Sequence, residues 1–319
     1  MTNNAASPRR AYGVLFIFVL SVLASCTNLQ RFAHMYSSDA LDASTFRYHD
    51  GGSSLYYSFI VGDEKEPVTY VFVYGGSGCS SWKAAMPGYV DGLNVPARVF
   101  VLNKRHVSDR STGMFGCRRE FHLANNPEQW VADYQEFITT VLDSAQKKPQ
   151  NVVLVGVSEG SLPAVRVAGR IARVTHLAII GDGGFTMRTA LVTLDRKGSI
   201  SLDVGKGWAK ISTDPRSIDK LWYGAPYRWW SDIMDEDLLP DFLRLDIPIL
   251  VGIGEKDTNV PVESAQYLAE EFRKAGKNNL VLKIYPGADH HLEAGGRSYR
   301  REFFRELGTM LDSGHSAIP

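Results

Sequence analysis

The chain has 319 residues, 44% hydrophobic and 22% charged, enough for one large buried core and unlike a disordered, collagen-like or low-complexity polymer. Lys plus Arg and Asp plus Glu each number 35, so no basic excess exists to neutralise phosphates, and nucleic acid is not an expected partner.

The first element is an address. Arg9-Arg10 precedes a stretch, 11–30, without a single charge, and its apolar heart is 14–20 plus 22–24. A bilayer span needs roughly 20 apolar residues. This run is shorter and follows a positive segment, the layout of an export signal over residues 1–25. Leu23-Ala24-Ser25-Cys26 resembles a bacterial lipobox, which implies cleavage before Cys26 and lipidation of its sulfur. The expectation is a protein of the cell envelope held to a membrane by acyl chains. Thr27 in place of Asp points to the periplasmic side of the outer membrane if the cell has two membranes. In such an oxidising compartment the remaining pair, Cys79 and Cys117, is expected to form a disulfide.

After a polar linker (26–45), strand-like pieces occur at 46–48 and 55–61, joined by short links that favour an antiparallel edge. The β-branched and aromatic run 68–74 predicts a buried strand, ended by Gly75-Gly76-Ser77-Gly78. A strand over 97–102 follows. Trp130, Tyr134, Phe137, Ile138 and Val141 then mark one face of a helix over 127–145. Next come a strand at 152–155, a helix over 161–172 and a strand at 177–180. Beyond these lie a strand at 249–251, a helix over 262–275, a strand at 280–284, a helix over 297–311 and a tail, 313–319. Strands alternating with helices predict an α/β domain over 46–312 with mostly parallel strands and helices on both faces. Residues 185–245 break the rhythm with Trp208, Trp222, Tyr223, Tyr227, Trp229 and Trp230, and are read as an inserted cap or lid. Packing the insert against the core is the plain role of these rings; lining an apolar pocket is the alternative.

Gly156-Val157-Ser158-Glu159-Gly160 matches G-x-S-x-G, a weak string by itself in a chain with 29 glycines. Its position strengthens it, between a Val/Leu strand and the start of a helix, where a strained turn lifts a serine Oγ toward a base. A serine becomes a nucleophile when a base takes its proton and an acid orients that base. Asp257 follows the 249–251 strand and His290 follows the 280–284 strand, and such strand ends open onto one crevice. Asp182 is a rival acid and His291 a rival base. No H-E-x-x-H, Asp-rich calcium loop or zinc-spaced cysteine pair is present, so neither metal nor cofactor is expected. Nucleotide binding at 75–78 lacks the required Gly-Lys-Ser/Thr.

The elbow at 156–160, the Asp257 segment and the Pro286–His290 segment, in that order, resemble the α/β-hydrolase superfamily over about 46–311. The resemblance implies an eight-stranded, mostly parallel sheet and acyl transfer through a triad of Ser158, Asp257 and His290. It further implies an oxyanion hole made by the N–H of Glu159 and that of Gly76 or Ser77, with Tyr74 where many members carry His. Asn103-Lys104-Arg105-His106 stands where many have Asp-x-Arg-Gly, and a surface position is expected for His106. The expected activity is that of a serine esterase acting on a small-molecule or lipid-like acyl substrate. A peptidase or amidase of the same fold is the alternative, and a non-catalytic binding lipoprotein is the reading from another class.

Overall fold

The computed structural model describes residues 41–113 and 116–312. Cys26, the signal segment 1–25, most of the 26–45 linker and the 313–319 tail lie outside the described residues. The first strands are β1 (Ser44–Arg47), β2 (Ser53–Val61), β3 (Thr69–Tyr74) and β4 (Ala97–Leu102), followed by helices α1 (Arg119–Ala124) and α2 (Pro127–Ser144). Then come β5 (Asn151–Val157), α3 (Ser161–Ala168) and β6 (His176–Ile180). The insert holds α4 (Met187–Arg196), α5 (Val204–Ile211), a hairpin of β7 (Leu221–Trp222) and β8 (Ala225–Pro226), α6 (Tyr227–Ile233) and α7 (Leu239–Leu243). The chain closes with β9 (Ile249–Gly254), α8 (Val262–Lys274), β10 (Leu280–Tyr285), β11 (Glu293–Ala294), β12 (Arg297–Ser298) and α9 (Arg300–Asp312).

Eight strands form one sheet in the order β1-β2-β4-β3-β5-β6-β9-β10. β1 and β2 are antiparallel, as is β2 with β4; every other pairing is parallel. The alternation of β3 shows why both faces must be covered. Phe72 and Tyr74 point into one core with Tyr134 and Phe137 of α2, Val165 of α3 and Leu268 of α8. Val71 and Val73 point into the other with Phe303, Phe304 and Leu307 of α9. Burying one such side chain stabilises by about 1.5–3 kcal/mol, so a strand apolar on both sides cannot sit at a solvated edge.

Local signals explain the element ends. Asn126 caps α2, its side chain accepting from the Gln129 N–H at 3.0 Å, and Pro127 occupies the first turn, where no donor is needed. α3 stops at Ala168, with Gly169 at its cap, and so is shorter than the expected 161–172. The last helix begins at Arg300 rather than 297, because Gly295 and Gly296 take left-handed conformations and turn 293–298 into a hairpin.

The insert carries its own apolar cluster of Leu191, Val204, Ile211, Trp230 and Met234. Trp222 packs edge-on to Trp230 at 4.7 Å, and the Trp230 indole N–H donates to the Trp222 carbonyl at 2.7 Å. The end of the insert belongs to the main domain instead, where Leu238, Phe242 and Leu245 join the core on the α2 face. Arg166 of α3 bridges to Glu236 and Asp241, tying the helix behind the elbow to the insert's last turns.

Candidate active site

Ser158 begins the turn between β5 and α3 and has φ of 53°, a left-handed conformation that L residues rarely adopt. Its flanking glycines are steric requirements. A Cβ on Gly156 would lie 2.6 Å from the Ser161 Cα, and one on Gly160 would lie 2.2 Å from the Tyr74 carbonyl oxygen. Strain at such a residue persists only where the surroundings hold it, and here the close packing of Gly156 on Ser161 and of Gly160 on Tyr74 contributes to that hold.

The loop after β3 comes against this serine. A Cβ on Gly76 would stand 3.3 Å from Ser158 Cβ and 3.8 Å from its Oγ, so the loop backbone packs directly on the serine and a larger residue would crowd it. This loop is held from below by buried polar groups. Trp82 N–H donates to Asn103 Oδ1 at 3.1 Å, while Tyr57 OH lies 2.9 Å from Ser81 Oγ and donates to Asp109 at 3.0 Å. Lys83 also donates to Asp109, at 2.9 Å. Cys79 and Cys117 form the expected disulfide, with Cα atoms 5.6 Å apart, and Ser111 Oγ donates to the Cys79 carbonyl at 2.7 Å.

Asp257 and His290 meet in the loops after β9 and β10. His290 Nδ1 lies 2.7 Å from Asp257 Oδ2, with the Asp257 side chain fully enclosed and that of His290 12% exposed. Oδ1 of Asp257 accepts from the N–H groups of Asn259 (2.8 Å) and Val260 (2.9 Å). A carboxylate oxygen accepts rather than donates, so Nδ1–H is the donor of this contact. The two loops are also joined by backbone: Glu255 N–H donates to the Tyr285 carbonyl and Lys256 N–H to that of Ala288. A Cβ on Gly254 would fall 2.2 Å from the Asp289 carbonyl oxygen, so this close passage too depends on glycine.

The rivals are placed differently. Asp182 has its Oδ1 turned back to the Gly183 N–H at 2.8 Å, and burial pushes its carboxyl up to about 7, against that hydrogen bond and the charge of His290. His291 is exposed, with its backbone N–H on Asp289. His106 is exposed as well, at φ of 61°, which accounts for the glycine usual at the end of that turn.

Two site residues were not singled out from the sequence. Lys104 Nζ donates to Glu159 Oε2 at 3.0 Å and Trp229 Nε1 donates to Glu159 Oε1 at 2.9 Å. Burial lowers the Lys104 pKa, and Glu159 opposes that shift. A lone Lys beside Arg105 reads as surface, and Trp229 was one ring among several, so their meeting needs the three-dimensional structure. Among the described residues no group of three or more His, Cys, Asp or Glu side chains could hold a metal ion.

The sheet order, the elbow after β5 and the acid–imidazole contact in the loops after β9 and β10 define an α/β-hydrolase. Similarity to solved structures agrees on the fold. A Pyrococcus furiosus esterase aligns over 86% of this chain and 90% of its own, with TM-score 0.54 and 14% identity. An esterase from Exiguobacterium antarcticum aligns over 85% and 100%, with TM-score 0.54 and 16% identity. The Pyrococcus horikoshii acylaminoacyl peptidase aligns over 86% of this chain but 42% of that one, with TM-score 0.57 and 11% identity. No curated protein sequence matches the chain. The sequence pattern of the prolyl oligopeptidase family matches residues 112–311, more than half of the chain. The chain belongs to that family, and the protein is a serine hydrolase.

Proposed function

We propose that the protein is an exported, lipid-anchored serine esterase that works through Ser158, His290 and Asp257. The observation that carries this reading is the Asp257–His290 contact of 2.7 Å, in loops that follow β9 and β10, on the same sheet end as the strained Ser158 turn. In the proposed reaction Ser158 Oγ attacks the ester carbonyl while Nε2 of His290 takes its proton. Asp257 stabilises the imidazolium through Nδ1–H. The developing oxyanion is met by the N–H of Glu159 and by that of Gly76 or Ser77, and the close approach of Gly76 to Ser158 supports such a role for the loop. His290 then protonates the leaving alcohol; in the second half its Nε2 takes a proton from water as the water attacks the acyl carbonyl, and returns that proton to Ser158 Oγ as the acyl–oxygen bond breaks and the acid leaves. Cys26 provides the membrane anchor.

The test is hydrolysis of p-nitrophenyl acetate together with labelling by a fluorophosphonate. Ser158→Ala is expected to lose both, and retention of either would overturn the assignment. Amide cleavage is the second reading, favoured by the family match. A p-nitroanilide turned over faster than the matching p-nitrophenyl ester would favour it over the esterase.

A further inference from the structure

An oxyanion donor needs only its backbone N–H, yet the Glu159 side chain is 4% exposed and has both oxygens engaged. Lys104, from the loop after β4, reaches Oε2, and Trp229, from α6 of the insert, reaches Oε1. The Lys104 side chain is 7% exposed, and its ammonium also stands 4.5 Å over the Trp130 ring of α2. Core and insert therefore converge on the residue that follows Ser158.

An ion pair taken out of water is weak evidence for stability, because desolvation offsets most of the attraction. Its particular property is geometric, since a carboxylate gripped at both oxygens cannot rotate. The adjoining turn is strained at Ser158, where orientation has to be imposed from outside. We propose that Lys104, Glu159 and Trp229 act as a latch of positioning side chains, fixing the aim of the Glu159 N–H and making it depend on how the insert is seated. This rests on the serine mechanism above.

Oxyanion donors act at about 2.7–3.1 Å from the oxygen that carries the charge, so a small rotation matters more to the transition state than to bound substrate. Losing the Trp229 donor frees one Glu159 oxygen, and Glu159→Gln sets an amide where the ion pair was. Both changes should lower kcat and spare KM.

The experiment uses the full chain as wild type, Ser158→Ala, Trp229→Phe, Glu159→Gln, Lys104→Met and the Lys104→Met/Glu159→Gln double variant. Active sites are counted by fluorophosphonate labelling taken to completion. Turnover of p-nitrophenyl acetate is expressed per labelled site, so unfolded protein does not enter. A trifluoromethyl ketone, whose adduct oxygen occupies the oxyanion position, reports donor aim directly. A lost donor costs about 10²–10³ in kcat, and a misaimed one is expected to cost about tenfold, with KM within about twofold. Ketone affinity should fall in step. Lys104→Met strands a buried carboxylate and should be the worst single change, and the double variant should lose less than the product of the two single losses.

Normal turnover per site and normal ketone affinity in Trp229→Phe and Glu159→Gln, with only the melting temperature lowered, would reduce the latch to packing and overturn it. If Glu159→Gln does not fold, Trp229→Phe, which keeps an aromatic ring, decides alone. Ser158→Ala with full activity would remove the serine mechanism and the latch with it; Ser158→Ala inert beside a normal Trp229→Phe removes the latch only.

Discussion

Asp257 faces His290 with Oδ2, 2.7 Å from Nδ1, while its other oxygen is already occupied by the N–H groups of Asn259 and Val260. The acid cannot turn without losing two backbone donors. In Asp257→Asn those donors would keep the amide oxygen, so the NH₂ group would face Nδ1. That arrangement favours a proton on Nε2 and leaves no base for Ser158. Ester hydrolysis by this variant is expected to fall by about 10⁴-fold, the size seen for the equivalent change in other triads, with labelling slowed in parallel. A fully active Asp257→Asn would transfer the acid's role elsewhere.

Asp182 makes a contrasting prediction. Its carboxyl is raised from 3.8 to about 7, chiefly by burial. Between those values the folded protein keeps a proton that the unfolded chain has lost. The stability tied to this group is therefore complete below about pH 4 and declines as pH rises through about 7. Asp182→Asn cannot ionise, and its amide oxygen can still accept from Gly183. Urea midpoints should show the variant gaining on wild type at about pH 8 but not at about pH 4. Its turnover should stay within about tenfold of wild type, because Asp257 rather than Asp182 contacts His290. A pH-independent difference in midpoint would refute the buried proton.

Gly181 sets the wall on which the imidazole rests. It has φ of 70°, and a Cβ there would lie 2.9 Å from His290 Cε1. Gly198 has nearly the same φ, 69°, with nothing within 4 Å of its Cβ position. Alanine at either position meets the left-handed backbone cost of about 1–2 kcal/mol, so both variants should melt lower, Gly181→Ala by the larger amount. Only Gly181→Ala also pushes His290, and a displacement of about 1 Å can cost 10²-fold in rate. Equal activity in the two variants would show that His290 yields without consequence.

The parts legible in the sequence are those whose signals are local. The run 68–74 marked a strand because both its faces are apolar, and Gly156 and Gly160 marked an elbow because no larger residue fits beside Ser161 and Tyr74. What stayed hidden was made by long-range contact. Glu159 meets Trp229 across 70 residues of sequence, and nothing near either side chain announces the other. The short helices of the insert were hidden for a related reason. The apolar residues of α4 and α5, such as Leu191, Val204 and Ile211, pack with Trp230 and Met234 rather than on the sheet, and form runs too short to show a period.

The disulfide should matter to rate as well as to stability. It joins Cys79, just beyond the Gly75–Gly78 turn, to Cys117 across 38 residues, and closing such a loop stabilises by roughly 3–4 kcal/mol on the chain-entropy account. The loop it anchors lies against Ser158 through Gly76. Cys79→Ser and Cys117→Ser should each lower the melting temperature and lower kcat more than they raise KM, and the double variant should be little worse than either. A melting temperature that falls while kcat holds would separate the tether from the donors.

Cys26 is the remaining test, and it concerns address rather than chemistry. Among the described residues no helix is long and apolar enough to cross a membrane. A buried acyl chain contributes about 0.8 kcal/mol per CH₂, and one chain alone holds a protein only reversibly, so firm attachment takes more than one chain on the processed cysteine. The wild-type protein is expected to sediment with membranes, partition into a detergent phase and incorporate labelled palmitate. Cys26→Ala should lose the label and leave the membrane fraction, or accumulate as unprocessed precursor. Its hydrolase activity per labelled Ser158 should not change, because Cys26 precedes β1 and the whole domain that carries the site. Wild-type protein recovered from the soluble fraction without detergent would overturn the anchor and leave the hydrolase reading intact.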